Sequence, residues 1–132
     1  MDLIAELKQL EGFRARPYKD TQGFLTIGYG LNLDRGMDEK LASYILEYEI
    51  AKLDTGLSNL IPFWGKLSRP RQEVLINMAY NLGVAGLLQF KRMLKAAELG
   101  NISGVCAEMK GSKWYTQVPN RVDYIIEKYM KG

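Results

Sequence analysis

The sequence predicts a mostly helical α+β fold with one small β-hairpin near the N-terminus. Apolar residues recur at helical spacing along most of the chain, whereas strand-forming residues flank a turn signal in only one short segment. The 132 residues are 47% apolar and 25% charged, as in globular proteins large enough to bury a core. We expect a single domain over residues 1–132, with a front lobe over about 12–37, a spine helix over about 38–55 and a helical lobe over about 57–132 that includes the N-terminal helix.

The first element is predicted to be a helix that Asp2 caps and that Gly12 ends. Its apolar positions recur at helical spacing and are Leu3, Ile4, Leu7 and Leu10. Glu11 is therefore expected at the C-terminal end of this helix. The segment carries charged residues and no apolar run approaches 18 residues, so we expect neither a signal peptide nor a membrane span.

A hairpin is predicted between Ala15 and Gly30, with Asp20 entering its turn. The turn reads Asp20-Thr21-Gln22-Gly23, and the strand formers around it are Tyr18, Phe24, Leu25, Thr26, Ile27 and Tyr29. Gly28 and Gly30 interrupt the second strand. Such glycines mark either the close approach of a ligand or backbone, or a simple bulge or bend, and both interpretations stay open.

After a loop over Asn32–Met37, Asp38 is expected to cap the spine helix, and Gly56 and Pro62 are expected to break the chain. One face of the spine helix would carry Leu41, Ile45, Tyr48 and Lys52. Phe63 and Trp64 follow, and we expect them to be core residues.

Four further helices are expected in the second half of the chain. The first begins after Ser68, with Pro70 in its first turn, and ends at Gly83; its buried face is predicted to be Val74, Leu75, Met78, Ala79 and Leu82. The next two run from about Gly86 to Leu99 and from about Ile102 to Met109, and end at Gly100 and Gly111. The last begins at Pro119 and has an apolar stripe of Val122, Ile125, Ile126, Tyr129 and Met130.

Several classes of function are disfavoured by composition. The chain has no histidine and a single cysteine, Cys106, which excludes Ser-His and Cys-His catalysis, the usual zinc sites and an internal disulfide. The net charge of +3 is spread along the chain, which favours mild attraction to cell-wall polyanions and not nucleic-acid binding. We expect no cofactor and no metal, so that acid-base chemistry falls to carboxylates.

Glu11, Asp20 and Thr26 are the candidate catalytic residues. The negative end of the helix dipole disfavours a second anion at Glu11, which favours the protonated form that a general acid needs. Asp20 in a polar turn should stay ionised and could orient or deprotonate a water that the Thr26 hydroxyl holds. Taken one by one, and from pattern alone, these residues are better explained as a helix-end, a turn and a strand residue.

The spacing of the three residues within EGFR, YKDTQG and TIGYG resembles the phage-type lysozymes, glycoside hydrolase family 24. The resemblance continues in INMAYNLG (76–83), KRML (91–94) and KWYTQVPNR (113–121), so it spans nearly the whole chain. It implies a lysozyme-like fold and a muramidase that cuts the β-1,4 bond between N-acetylmuramic acid and N-acetylglucosamine. It also implies that Glu11 is the acid, that Asp20 and Thr26 handle the water, and that the outcome is inversion.

The resemblance carries further residues into the predicted site. Arg121 resembles the family arginine that pairs with the catalytic glutamate; its alternative interpretation is a surface charge at a helix N-terminus. The predicted substrate-binding residues are Gly28, Leu31, Asn32, Tyr80, Asn81 and Asn120. Leu31 stands where many relatives have histidine, and the short link to the spine helix predicts that an additional strand of larger members is reduced or lost.

Two alternatives to hydrolysis remain at this point. A lytic transglycosylase would use a glutamate acid without water attack, and a non-catalytic glycan-binding module would keep the fold without turnover. The expected partner is bacterial peptidoglycan, without nucleic acid or stable membrane association, and the expected state is a monomer. We expect synthesis in the bacterial host cytoplasm and passage to the wall with the help of a holin.

Overall fold

A computed structural model describes residues 2–132 and confirms the mostly helical α+β fold. Within these residues the chain forms seven α-helices, three short β-strands and two short 3-10 helices. It divides into two compact units, of which the first reaches to Ile45 and the second runs from Leu46 to Gly132.

The first helix, α1 (Leu3–Glu11), forms as the sequence predicts. The Asp2 carboxylate accepts the Ala5 N–H at 2.8 Å, and Gly12 ends the helix with φ +73° and an N–H that donates to the Lys8 carbonyl. Glu11 is the last helical residue. The apolar positions of α1 are exposed: Leu3, Ile4, Leu7 and Leu10.

The hairpin is also confirmed, and it continues into a third strand. Strands β1 (Arg14–Lys19), β2 (Leu25–Gly28) and β3 (Leu31–Asn32) form an antiparallel sheet in the order β1-β2-β3, in which Tyr18 and Asn32 pair with Thr26 from either side. The register of β1 is irregular between Arg14 and Tyr18, a stretch that contains Pro17, which has no N–H to donate. The third strand, β3, has only two residues.

The predicted loop over Asn32–Met37 is partly wrong. Asn32 belongs to β3, and Leu33–Arg35 forms a 3-10 helix whose N-terminus is capped by the Asn32 side chain, which accepts the Asp34 N–H at 2.9 Å. Sequence alone suggested a loop because a single turn of helix leaves no apolar period to detect.

The spine helix, α2, runs over Glu39–Leu60 and so is longer than the predicted 38–55. Asp38 caps it as expected by accepting the Leu41 N–H at 2.8 Å. The break predicted at Gly56 is wrong, because Gly56 lies inside the helix; a single helical glycine costs only about 1 kcal/mol, and its neighbour Leu57 is fully buried. The helix ends before Pro62 instead.

Helix α3 (Arg69–Leu88) begins at the Ser68 cap, with Pro70 in its first turn. As predicted, its first helical stretch ends at Gly83, where the backbone leaves helical geometry (φ +79°, ψ 159°); a second, short helical stretch follows this kink and reaches Leu88. The predicted helix from Gly86 to Leu99 is wrong in its continuity, because the chain turns at Gln89 and Phe90 and a new helix begins at Lys91.

The remaining helices are α4 (Lys91–Glu98), α5 (Ile102–Lys110), α6 (Lys113–Gln117) and α7 (Pro119–Lys131). Helix α7 begins at Pro119 as predicted, whereas the short α6 lies in a segment for which the sequence predicts no element. Within the described residues, none of the helices combines the length and the apolar character needed to cross a bilayer.

The hydrophobic core of the second unit is built around α3. The predicted core residues Phe63 and Trp64 are buried, as are Val74, Leu75, Met78 and Ala79 of α3 and Val122, Ile125 and Tyr129 of α7. Cys106 is half-buried against this core, and burial raises the pKa of its thiol. Met130 was predicted on the same apolar stripe as Val122, but this prediction is wrong, since 60% of the Met130 surface is exposed.

Two methionines allow a matched test of this core. Met78 has no exposed surface, and Met130 lies largely in solvent on α7. We expect Met78→Ala to lower the free energy of unfolding by about 2–5 kcal/mol, because it leaves a cavity in the core. Met130→Ala is expected to change it by less than about 0.5 kcal/mol. Urea denaturation of both variants measures this, and equal losses would contradict the assignment of the core.

Candidate active site

Glu11 lies at the C-terminal end of α1, and its carboxyl group faces the glycine turn between β2 and β3. A Cβ atom on Gly30 would stand 3.0 Å from Glu11 Oε2, and the backbone there has φ +88°. The absence of a side chain thus permits the close approach. The adjacent Tyr29 ring packs against Phe13, with centroids 5.6 Å apart, and under the Lys8 ammonium.

Asp20 organises the hairpin turn through one of its two carboxylate oxygens. Oδ1 accepts the N–H groups of Gln22 and Phe24, both at 2.9 Å, while the Asp20 carbonyl accepts the Gly23 N–H at 3.0 Å. This explains why aspartate is favoured here, since a short side chain can accept from the backbone of its own turn. Among the hydrogen bonds of residues 2–132, none involves Asp20 Oδ2.

Thr26 is the one buried polar residue among residues 2–132, with 3% of its surface exposed. Its hydroxyl donates to the Phe24 carbonyl at 2.9 Å, and the same carbonyl accepts the Asp20 N–H at 2.9 Å. One carbonyl group therefore fixes the backbone of Asp20 and the hydroxyl of Thr26. Because the Thr26 proton is used as a donor, its oxygen remains as an acceptor.

The arrangement brings Asp20 and Thr26 together through the Phe24 backbone. A free carboxylate oxygen and a hydroxyl oxygen with acceptor capacity are suited to receive the two hydrogens of one water.

The other predicted residues of the front unit lie on either side of the β2–β3 turn. Gly28 has φ +67°, and a Cβ atom at this position would meet nothing within 4 Å. Leu31 is 40% exposed. Asn32 is half-buried, and its side-chain oxygen already accepts the Asp34 N–H, which leaves its amide N–H groups as the available donors.

In the second unit, Arg121 and Tyr80 line a cavity of about 390 Å³. Arg121 is held by Asn77: Nε donates to the Asn77 side-chain oxygen at 2.9 Å and a terminal nitrogen donates to the Asn77 carbonyl at 3.3 Å. Tyr80 is half exposed, and Leu46, Ile50 and Ile76 contribute apolar walls.

An ion pair forms another part of the same cavity wall. Lys128 donates to the Glu73 carboxylate at 2.8 Å, and this hydrogen bond lowers the pKa of the Glu73 carboxyl; Arg69 lies 3.7 Å from the other oxygen. Both partners are well solvated, so the pair contributes little to stability.

Asn81 and Asn120 are both exposed. The Asn81 side-chain oxygen accepts the indole N–H of the buried Trp114 at 2.7 Å, which fixes the amide and leaves its N–H groups free to donate outward. Asn120 stands in the first turn of α7, next to Arg121.

Sequence reasoning missed three contributors to these arrangements. Asn77 and Trp114 stand inside the quoted motifs INMAYNLG and KWYTQVPNR but carry no charge to single them out, and the contribution of Phe24 is a backbone carbonyl. No sequence signal identifies a carbonyl acceptor. Residues 2–132 contain no cluster of His, Cys, Asp or Glu that could hold a metal ion.

The mostly helical fold, with two carboxylates on a helix end and a hairpin turn, is that of a lysozyme-like glycoside hydrolase. Comparison with family models gives the family: residues 8–126 match the one described as Phage lysozyme, and the chain belongs to that family. The resemblance seen in the motifs is thereby confirmed.

Curated relatives agree with this assignment. The chain is 29% identical to "Probable T4-type lysozyme 2" of Dictyostelium discoideum, over 96% of this chain and 92% of the relative. It is 29% identical to an "Endolysin" of Acyrthosiphon pisum secondary endosymbiont phage 1, over 81% of this chain and 75% of the relative. It is 30% identical to "Peptidoglycan hydrolase gp36" of Pseudomonas phage phiKMV, over 93% of this chain and 14% of the relative.

The contact between Glu11 and Gly30 leads to a prediction about stability. Gly30→Ala should destabilise the protein because alanine is strained at positive φ and its Cβ would meet Glu11 Oε2. Gly36→Ala is the matched control, since Gly36 has φ +75° but nothing within 4 Å. We expect the loss of unfolding free energy to be larger for Gly30→Ala by about 1 kcal/mol. Equal losses in thermal denaturation would contradict the predicted cost of moving the Glu11 carboxyl group.

Proposed function

We propose that the protein hydrolyses the β-1,4 bond between N-acetylmuramic acid and N-acetylglucosamine in peptidoglycan, with inversion at the anomeric carbon. Membership of the phage lysozyme family and the peptidoglycan hydrolase among the relatives support the substrate. The observation that carries the chemistry is the shared Phe24 carbonyl, which holds Asp20 and Thr26 as a pair.

Glu11 is the proposed general acid. Its position in the last turn of α1, with its carboxyl group against the β2–β3 turn, supports this role. In the proposed reaction, Glu11 gives its proton to the glycosidic oxygen as the bond to the anomeric carbon breaks.

Asp20 and Thr26 are proposed to handle the attacking water. The water donates one hydrogen to Asp20 Oδ2 and the other to the Thr26 hydroxyl oxygen, both of which are available as acceptors. As the water oxygen bonds to the anomeric carbon from the face opposite the leaving group, Asp20 takes up its proton. An inverting pair of carboxyl groups stands roughly 6.5–9.5 Å apart to leave room for this water.

Arg121 is proposed as a supporting residue that pairs with Glu11. Two of its nitrogens donate to Asn77, which restricts the guanidinium to one orientation and leaves further N–H groups for a carboxylate. We also propose Gly28, Leu31, Asn32, Tyr80, Asn81 and Asn120 as residues that contact the glycan.

The proposed substrate sets the site of action at the bacterial cell wall. Under this proposal the protein acts as a monomer of two lobes, is made in the host cytoplasm and reaches the wall with the help of a holin. Its net charge of +3 favours contact with anionic wall polymers.

Replacing the proposed acid tests the function directly. We expect Glu11→Gln to lower kcat on purified peptidoglycan by at least about 100-fold, because the amide cannot give a proton to the leaving oxygen. Glu6→Gln, on the same helix, is the matched control and should retain activity. Turbidity clearance measures both, and clearance by Glu11→Gln at the wild-type rate would exclude the proposal.

The products distinguish hydrolysis from the two alternatives. Hydrolysis yields reducing ends that NMR shows as the α-anomer immediately after cleavage if the reaction inverts, whereas a transglycosylase yields 1,6-anhydro ends that mass spectrometry detects. Sedimentation with cell walls without any released sugar would indicate a binding module.

The role of Thr26 predicts a difference between two substitutions. Thr26→Ser keeps the hydroxyl and should lower kcat by less than about tenfold, whereas the isosteric Thr26→Val removes it and should lower kcat by about 100-fold. Thr116→Val is the control, because the Thr116 hydroxyl also donates to a main-chain carbonyl, that of Lys113, at an exposed position of α6. Equal activity of the Ser and Val variants at position 26 would rule out a role for the hydroxyl.

A further inference from the structure

The Phe24–Leu25 peptide group is bound on both of its sides. Its carbonyl accepts from the Asp20 N–H and the Thr26 hydroxyl, and its N–H, the Leu25 N–H, donates to Asp34 Oδ2 at 2.8 Å. Because the peptide is planar and trans, its carbonyl and N–H point in opposite directions and rotate together. The Asp34 carboxylate therefore anchors the far side of the same group that fixes Asp20 and Thr26.

The position of Asp34 is itself determined by the local fold. Asp34 stands in the 3-10 helix Leu33–Arg35, and its own N–H donates to the Asn32 side chain at 2.9 Å. Asn32 in turn pairs with Thr26 between β3 and β2. The 3-10 helix is thus tied to the sheet at the residue next to the anchored peptide.

Charge adds to this geometric effect. A hydrogen bond from an N–H group to a carboxylate is stronger than one to a neutral acceptor. It also polarises the peptide, which makes the carbonyl on the other side a better acceptor. Both bonds to the Phe24 carbonyl have a donor–acceptor distance of 2.9 Å.

We propose that Asp34 is a positioning residue for catalysis, which orients the Phe24–Leu25 peptide and through it the Asp20 backbone and the Thr26 hydroxyl. Asp34 does not touch the reacting atoms in this proposal. The inference rests on the proposed roles of Asp20 and Thr26 in holding the water.

The test compares Asp34 with Asp38 in the full-length protein. Both carboxylates accept one backbone N–H at 2.8 Å in an exposed hydrogen bond, but the Asp38 bond caps α2 and does not involve the Phe24–Leu25 peptide. We expect Asp34→Ala to lower kcat by about tenfold or more with KM changed less than about twofold, since misplacing the water affects the chemical step. Asp38→Ala should keep both constants.

A spectroscopic measurement separates positioning from a general loss of structure. In Asp34→Ala the Leu25 amide proton should lose the downfield shift of a charge-assisted hydrogen bond, while the amides of α1 keep their positions. Asp34→Asn, which retains an acceptor oxygen, should fold in any case and recover part of the lost kcat.

Three results would overturn the inference. An unchanged Leu25 amide signal in Asp34→Ala would show that the hydrogen bond is absent. Equal kcat for Asp34→Ala and Asp38→Ala, with Thr26→Val inactive, would show that Asp34 has no positioning role while the proposed function stands. A fully active Thr26→Val would remove the proposed function, and this inference with it.

Discussion

The front unit depends on one peptide group, Phe24–Leu25, which forms hydrogen bonds through both its carbonyl and its N–H. None of the apolar side chains in residues 2–45 is buried, and Thr26 is the one residue there that is. The geometry of this unit is therefore carried by hydrogen bonds from short polar side chains to the backbone: Asp2 at the helix start, Asp20 in the turn, Asn32 and Asp34 beside β2. Each bond contributes only about 1 kcal/mol, but each also selects a direction.

The second unit is held together by different physics. A contiguous apolar core joins α3, α5 and α7. Two polar side chains of this unit are held in place by hydrogen bonds to neighbouring residues. The buried Trp114 orients Asn81, and Asn77 on α3 orients Arg121 on α7. In both cases an uncharged residue restricts the side chain of a proposed site residue and leaves its remaining N–H groups available as donors.

Glycine has two distinct roles at the front of the molecule. Gly12 ends α1, and so places Glu11 at the last helical position. Because Gly30 has no side chain, the β2–β3 turn can lie so close to the Glu11 carboxyl group that a Cβ atom on residue 30 would be 3.0 Å from Oε2. Glycine is thus needed both to end the helix and to let the turn approach the Glu11 carboxyl group. This explains why a segment rich in glycine and turn residues contains the candidate carboxylates.

Much of the architecture is readable from local sequence because its determinants are local. The caps at Asp2, Asp38 and Ser68 involve residues three apart, and the amphipathic stripes of α3 and α7 reflect the helical period. The error at Gly56 arises because a glycine lowers helix propensity, but its cost is small enough for the buried neighbour Leu57 to outweigh it. Met130 was wrongly predicted to be buried, because an apolar stripe identifies the face of a helix but not where along that face burial ends.

By itself the sequence determined the fold class, the family and the three residues proposed for catalysis, because each of these is written in spacing and motif. Only the tertiary structure decided how Asp20 and Thr26 are joined, which oxygen of Asp20 is free, that Asp34 binds the Leu25 N–H, and that Asn77 and Trp114 hold Arg121 and Asn81. The physical reason is that these contacts pass through backbone carbonyls and amides or link residues 9 to 44 positions apart. Neither the direction of a peptide group nor a pairing over such distances leaves a pattern in the order of the amino acids.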